Sequence, residues 1–277
     1  MASPELINPR SARVKDARRL VIRASRHESR RFLAEGVQAV REGLAAAGED
    51  RVRMVELFAT VDAADRHAEL VSTAATAGVD VHVADDRVLA SLSETVTPQG
   101  LVAVCEFLDV PLDAVLTAQP RLMALLAEVR DPGNAGSVLR AADAAGADAV
   151  VFSAGCVDAY NGKVVRASVG GLFHLPVVTD APLVDTVRRM KAAGVRVLAA
   201  DGAGDIDLDR AERESDFTKP TAWVFGNEAR GLPPEVAEAA DAVVRIPIYG
   251  KAESLNLATA AALCLYASAR AQRADHP

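Results

Sequence analysis

The chain has 277 residues, half of them hydrophobic and a quarter charged, which excludes a disordered protein and leaves room for one large or two ordinary domains. The net charge is −7, and only 4% aromatics argue against a surface that reads RNA mainly by stacking bases. Cys105, Cys156 and Cys264 are too far apart for a metal-binding CxxC pair and read as small buried hydrophobes of a reducing compartment.

The charge is unevenly placed. Residues 1–31 hold nine Lys/Arg against three Asp/Glu, a balance of +6 that leaves −13 for the remainder. This basic arm, with Arg18, Arg19, Arg26 and Arg30 among its cations, is suited to displacing counterions from a phosphate backbone. After it, Phe32 to Gly36 reads as a strand and turn, Val37 to Ala47 as a helix, and Met54 to Ala59 as a strand. Ala63 to Ala77 follows as a helix, Val79 to Val83 as a strand, Asp86 to Glu94 as a short helix and Leu101 to Phe107 as a strand. That alternation predicts a small α/β domain over residues 1–108. Asp109 to Pro120, with Pro111, Asp113 and Pro120, is the expected linker.

A second alternation fills residues 121–277. Strands are expected at Leu122 to Val129, Ala149 to Phe152, Leu175 to Val178, Val195 to Ala200, Thr221 to Phe225 and Ala242 to Ile246. Helices are expected at Ala135 to Ala145, Gly162 to Val169, Leu183 to Ala193, Pro234 to Ala239 and from Leu257 to about Arg270. Strands this apolar, separated by helices, predict a mostly parallel sheet covered on both faces. The ligands of such sheets bind beyond the carboxyl ends of the strands.

Three polar, glycine-bearing corners fall at such ends. They are Asp131-Pro-Gly-Asn134-Ala-Gly136-Ser-Val-Leu-Arg140, Val224-Phe225-Gly226-Asn227-Glu228-Ala229-Arg230-Gly231-Leu232, and Ile246-Pro-Ile248-Tyr-Gly-Lys-Ala-Glu-Ser254-Leu255-Asn256-Leu257. Glycine lets backbone groups approach a ligand closely, and a helix start such as that expected at Ser254 favours a polar or anionic group. Asn134 and Arg140, six residues apart, are expected to face one crevice.

In this order the three corners resemble the signature motifs of the SpoU/TrmH family, in the SPOUT class of RNA ribose 2′-O-methyltransferases, over roughly Leu122 to Arg270. The upstream part more loosely resembles the RNA-binding extension, of ribosomal L30e fold, in rRNA-modifying members such as the thiostrepton-resistance branch. The resemblance implies a C-terminal trefoil knot, S-adenosylmethionine as cofactor and a homodimer. It implies catalytic roles for Asn134, Arg140, Glu228, Ser254 and Asn256. Cofactor contacts are implied for Phe225, Gly226, Asn227, Ile246, Ile248 and Leu255, and Arg166, in Lys163-Val-Val-Arg166-Ala-Ser168, matches a further recurring segment and is expected to touch RNA. The expected substrate is RNA, with 23S rRNA or a ribosomal particle favoured over tRNA; a catalytically silent RNA-binding protein on the same fold is the alternative.

Other chemistries find little support. Asp201-Gly-Ala-Gly204 follows a strand but lacks the third glycine and helix opening of a dinucleotide site. None of the five histidines stands in a metalloprotease pattern, so no metal is expected. There is no leader-like N-terminus, and the longest apolar-rich helix, Leu257 to Ala269, is too short to span a bilayer. A cytoplasmic protein without a membrane partner is the expectation.

Overall fold

A computed structural model describes residues 7–49, 51–213 and 217–274. The chain runs α1 (Ala12–Arg19), α2 (Arg23–Ser29), β1 (Arg31–Glu35), α3 (Val37–Gly48), β2 (Met54–Thr60), α4 (Val61–Arg66) and α5 (Ala68–Thr76). Next come β3 (Asp80–Ala84), α6 (Asp86–Leu92), β4 (Leu101–Glu106), α7 (Leu112–Thr117), β5 (Leu122–Leu126), α8 (Pro132–Ala144) and β6 (Ala149–Ser153). Then follow α9 (Gly162–Ser168), α10 (Gly171–His174), β7 (Val177–Ala181), α11 (Leu183–Ala192), β8 (Arg196–Ala200), β9 (Ile206–Asp207) and α12 (Leu208–Arg213). β10 (Thr221–Phe225), α13 (Pro234–Ala239), β11 (Ala242–Arg245) and α14 (Leu257–Arg273) complete it.

The chain folds into two units, one of Met1–Leu108 with Tyr160–His174, the other of Asp109–Ala159 with Leu175–Pro277. Residues 109–120, expected as a linker, carry α7 and belong to the second unit. Residues 160–174 lie within the stretch expected as the methyltransferase domain, yet group with the first.

The first unit is built on a four-stranded sheet of order β1-β4-β2-β3, antiparallel except for the β2–β3 pair. Val14, Ala17 and Leu20 of the basic arm join Leu33, Phe58, Val88, Leu92 and Val102 in one apolar cluster. The expected helix Ala63 to Ala77 is two helices, interrupted at His67 (φ −120°, ψ 38°). The inserted α9–α10 segment is held by aromatic packing: Tyr160 stacks on Phe107 at 3.8 Å between ring centroids and lies tilted against Phe32 at 4.9 Å. It is held also by charge. Glu35, only 8% exposed, accepts hydrogen bonds from Arg166 Nη1 (2.9 Å), Thr95 Oγ1 (2.6 Å) and Ser93 Oγ. A buried carboxylate is tolerated only when its oxygens find such donors.

The second unit contains a seven-stranded, wholly parallel sheet of order β7-β6-β5-β10-β8-β11-β9. Every residue of β5, β6 and β10 is buried, as a sheet covered on both faces requires. α14 lies against α8 and is tied down along its length. Trp223 Nε1 donates to Ser268 Oγ (2.9 Å), Tyr266 Oη to the Ala144 carbonyl (3.1 Å), and Gln272 Nε2 to the carbonyls of Arg121 and Lys219 (2.9 Å each). The edge strand β9 and α12 fall between Ala200 and Thr221, where no regular element was expected.

Candidate active site

Four adjacent strands, β5, β10, β8 and β11, release their chains at the same edge of the second unit, and a cavity of about 460 Å³ opens there. Its lining includes Asn134 after β5, Gly226 to Glu228 after β10, Asp201 after β8, and Ile246, Ile248 and Ser254 to Leu257 after β11. The three corners singled out in the sequence thus share one cavity within the chain.

Local chemistry places each part. Asp131 caps α8 by accepting from Asn134 N (2.7 Å), with Pro132 in the first turn, where its missing N–H costs nothing. Asn134 is thereby fixed at the cavity. At Gly226 a Cβ would lie 2.6 Å from the Gly231 carbonyl carbon and 2.8 Å from Leu232 N; backbone meets backbone, so only glycine fits. Asn227 holds this loop closed. Its backbone pairs with Gly231 in both directions, its Oδ1 accepts from Ala229 N and Arg230 N, and its Nδ2 donates to the Glu128 carbonyl.

The cap of α14 is Asn256, not Ser254 as expected: Asn256 Oδ1 accepts from Ala258 N (2.9 Å) and Thr259 N (3.3 Å). This occupies the amide oxygen and leaves its NH₂ to donate, which it does to Asn134 Oδ1 at 2.9 Å. Asn134 in turn must present its own NH₂ onward, and donates to Glu228 Oε1 at 3.0 Å. The three corners are therefore joined by a directed relay, Asn256 to Asn134 to Glu228, whose amide orientations follow from the helix cap. Ser254 lines the cavity and is exposed. Tyr249 donates to Asp209 Oδ2 (2.5 Å), pinning the loop before α14 to α12; that hydrogen bond holds the phenol's pKa above its ordinary value.

Other expected residues lie elsewhere. Phe225 is fully buried in the core and does not line the cavity; the strand pleat points it away from the end that its neighbour Gly226 opens. Arg140 is exposed, has no ion pair among the described residues and is absent from the cavity's lining. Six residues along a helix rotate a side chain by about 240°, so it does not share the face of Asn134.

Among the arginines expected on RNA, Arg18 and Arg19 are exposed on α1, and Arg30 lies with its guanidinium 4.8 Å from the centre of the Phe107 ring. Arg26 and Arg166 do not fit that expectation. Arg26 is 3% exposed, its Nη1 bonded to the carbonyls of Leu20 (2.9 Å) and Val21 (2.8 Å), where it closes the turn between α1 and α2. Arg166 is the partner of buried Glu35. The sequence reading also missed Asp201, Leu232 and Glu253 in the cavity lining; the position of Asp201 directly after an apolar strand was the available signal.

Comparisons with known proteins agree with this architecture. The SpoU rRNA Methylase family matches residues 121–266, and a domain described as RNA 2'-O ribose methyltransferase substrate binding matches residues 33–111. The chain belongs to the SpoU rRNA methylase family. It is 33% identical over 262 residues to the 23S rRNA (guanosine(2553)-2'-O)-methyltransferase RlmP of Bacillus subtilis, spanning 95% of this chain and 98% of that one. The crystal structure of the AdoMet-bound rRNA methyltransferase from Sinorhizobium meliloti superposes with a TM-score of 0.82 at 32% identity, covering 96% of this chain and 97% of that one. AviRb from Streptomyces viridochromogenes, in complex with the cofactor AdoMet, gives 0.80 at 30% identity over 95% and 100%.

Proposed function

We propose that the protein transfers a methyl group from S-adenosylmethionine to a ribose 2′-hydroxyl of 23S rRNA. The observation that carries this reading is the cavity at the carboxyl ends of β5, β10, β8 and β11, with the Asn256–Asn134–Glu228 relay at one side. Its volume of about 460 Å³ is within the roughly 300–1,000 Å³ range of small-molecule sites. Its lining of glycine backbone, Ile246, Ile248, Leu232 and Leu255 beside a few polar groups suits a nucleoside with an apolar face and a polar tail.

When bound, the cofactor supplies a methyl group on a positively charged sulfur. The chain's own task is to place the acceptor oxygen in line with that methyl and to ease loss of its proton; positioning of this kind supplies most of the rate. Gly226, Asn227, Ile246, Ile248 and Leu255 hold the cofactor, while Asn134, Glu228, Ser254 and Asn256 orient the ribose. Arg140 acts as a bidentate clamp on an RNA phosphate. Because Arg140 stands outside its own protomer's cavity, it completes the cavity of a second copy. The exposed apolar side chains Ile248, Leu255, Leu263 and Tyr266 support such a homodimer. The first unit grips RNA through cations of α1 such as Lys15, Arg18 and Arg19, and an rRNA substrate implies a cytoplasmic location.

The test is transfer of labelled methyl from S-adenosylmethionine into 23S rRNA, followed by digestion to nucleosides. Label on a 2′-O-methylnucleoside is expected. Label on a base, or none on rRNA or ribosomal particles, overturns the assignment.

A further inference from the structure

Asp201 is one of three acidic residues that line the cavity, with Glu228 on the loop after β10 and Glu253 on the loop before α14. β8 lies between β10 and β11 in the sheet, so its end forms the middle of the cavity floor. Of the lining residues from β8, β11 and the turns directly after them, Ala200, Asp201, Gly202, Val244 and Ile246, only Asp201 is ionisable. Its backbone is fixed on both sides: its N–H donates to the Val244 carbonyl (3.0 Å) and its carbonyl accepts from Gly204 N (3.1 Å). Oδ1 accepts from Ala203 N at 2.9 Å. Oδ2 lies 3.6 Å from where a side chain on Gly231, in the loop after the neighbouring strand β10, would begin. No cation among the described residues pairs with this half-buried carboxylate.

We infer that Asp201 reads the vicinal hydroxyls of the cofactor's ribose, an assignment that rests on the methyl-donor reading of the cavity. A carboxylate only accepts hydrogen bonds, so its ligand must offer donors. The methyl-bearing sulfur belongs beside Asn134, which follows β5. β8 is two strands away, about 10 Å at the usual strand spacing, so a different part of the cofactor reaches Asp201. The methionyl end carries an ammonium that donates and, on the same carbon, a carboxylate that Asp201 repels, so the two contributions oppose one another. Adenine offers mostly acceptors on its edges. The ribose diol offers two uncharged O–H donors, and hydrogen bonds from these to a carboxylate are of the stronger, charge-assisted kind.

The experiment is titration calorimetry of the full chain with S-adenosylhomocysteine and with its 2′,3′-dideoxyribose analogue. Wild type is expected to bind the hydroxylated ligand at least tenfold more tightly than the dideoxy one. In Asp201→Ala the two ligands bind within about twofold of each other, because only the hydroxylated ligand has lost a partner. Asp201→Asn, which keeps an oxygen for Ala203 N and so keeps the turn, shows an intermediate ratio. Wild-type discrimination retained in Asp201→Ala, or equal weakening of both ligands, overturns the assignment while leaving the cofactor site intact. Failure of wild type to bind either ligand removes the methyl-donor reading itself, and this inference with it.

Discussion

The two units use their polar side chains to opposite ends. In the second, Asn134, Asn256, Glu228 and Asp201 stand at the ends of apolar strands, open to the cavity, and bond largely to one another or to their own loops. In the first, Glu35 and Arg26 are buried and Arg166 is half-buried, their hydrogen bonds holding turns and helices together. A charged group whose partners are structural is a stability determinant, and one whose partners face a cavity is a functional one. The contrast therefore predicts which substitutions unfold the protein and which silence it.

The largest effect is expected at the buried pair. Arg166→Ala leaves the Glu35 carboxylate buried without its cation, a loss on the order of 3 kcal/mol. In urea, the far-UV circular dichroism transition of the first unit should move to lower concentration. The fluorescence transition of Trp223, the only tryptophan and a core residue of the second unit, should stay in place. Equal movement of both would mean that the two units unfold as one and would break the comparison.

Next is Asn134→Ala, which removes the middle of the relay. Methyl transfer is expected to fall about 100-fold, as for loss of one preorganised hydrogen-bond donor at a reacting centre, with the Trp223 transition little changed. A smaller, sharper test separates the two roles of Asn256. Asn256→Ala should cost about 1 kcal/mol in the second unit for loss of the α14 cap, and also lower turnover. Asn256→Ser restores a capping oxygen but not the amide that orients Asn134, so stability should return while turnover does not.

The smallest effect concerns the exposed cations. Lys15→Gln and Arg18→Gln should each weaken rRNA binding a few-fold and lower the slope of log affinity against log salt by about one, without change in the urea transitions. The cysteines form a control for burial. Desolvation pushes the Cys105 thiol up to about 12 and those of Cys156 and Cys264 up as well. The reactive thiolate is therefore scarce near neutral pH, and iodoacetamide followed by mass spectrometry should find all three unmodified until urea unfolds the chain.

Local pattern carried much of the architecture. The parallel strands were legible because each is a short apolar run bounded by turn residues, as in Ala149–Ser153 and Thr221–Phe225. The corners holding Asn134, Gly226 and Asn256 were legible because their chemistry is local too. What was not legible depends on pairing at long range. Arg26 and Arg18 look alike in a basic arm, and only the carbonyls left open at Leu20 and Val21 distinguish them. Glu35 and Arg166 are 131 residues apart, so nothing local could join them. The break at His67 carries no glycine or proline to announce it. Asp201 was hidden inside a failed dinucleotide motif, because glycines nearby drew the reading toward phosphate binding.

The excursion of residues 160–174 into the first unit means that the backbone crosses between the units at three places, after residues 108, 159 and 174. No single cut in the gene yields two self-sufficient halves. A fragment ending at Leu108 would lack the guanidinium that neutralises Glu35 and the rings that cover Phe32 and Phe107. One beginning at Asp109 would carry those same rings on an orphaned helical loop. Evolution by exchange of the RNA-gripping part for another is thereby constrained: any replacement must also supply a seat for a segment encoded well inside its neighbour.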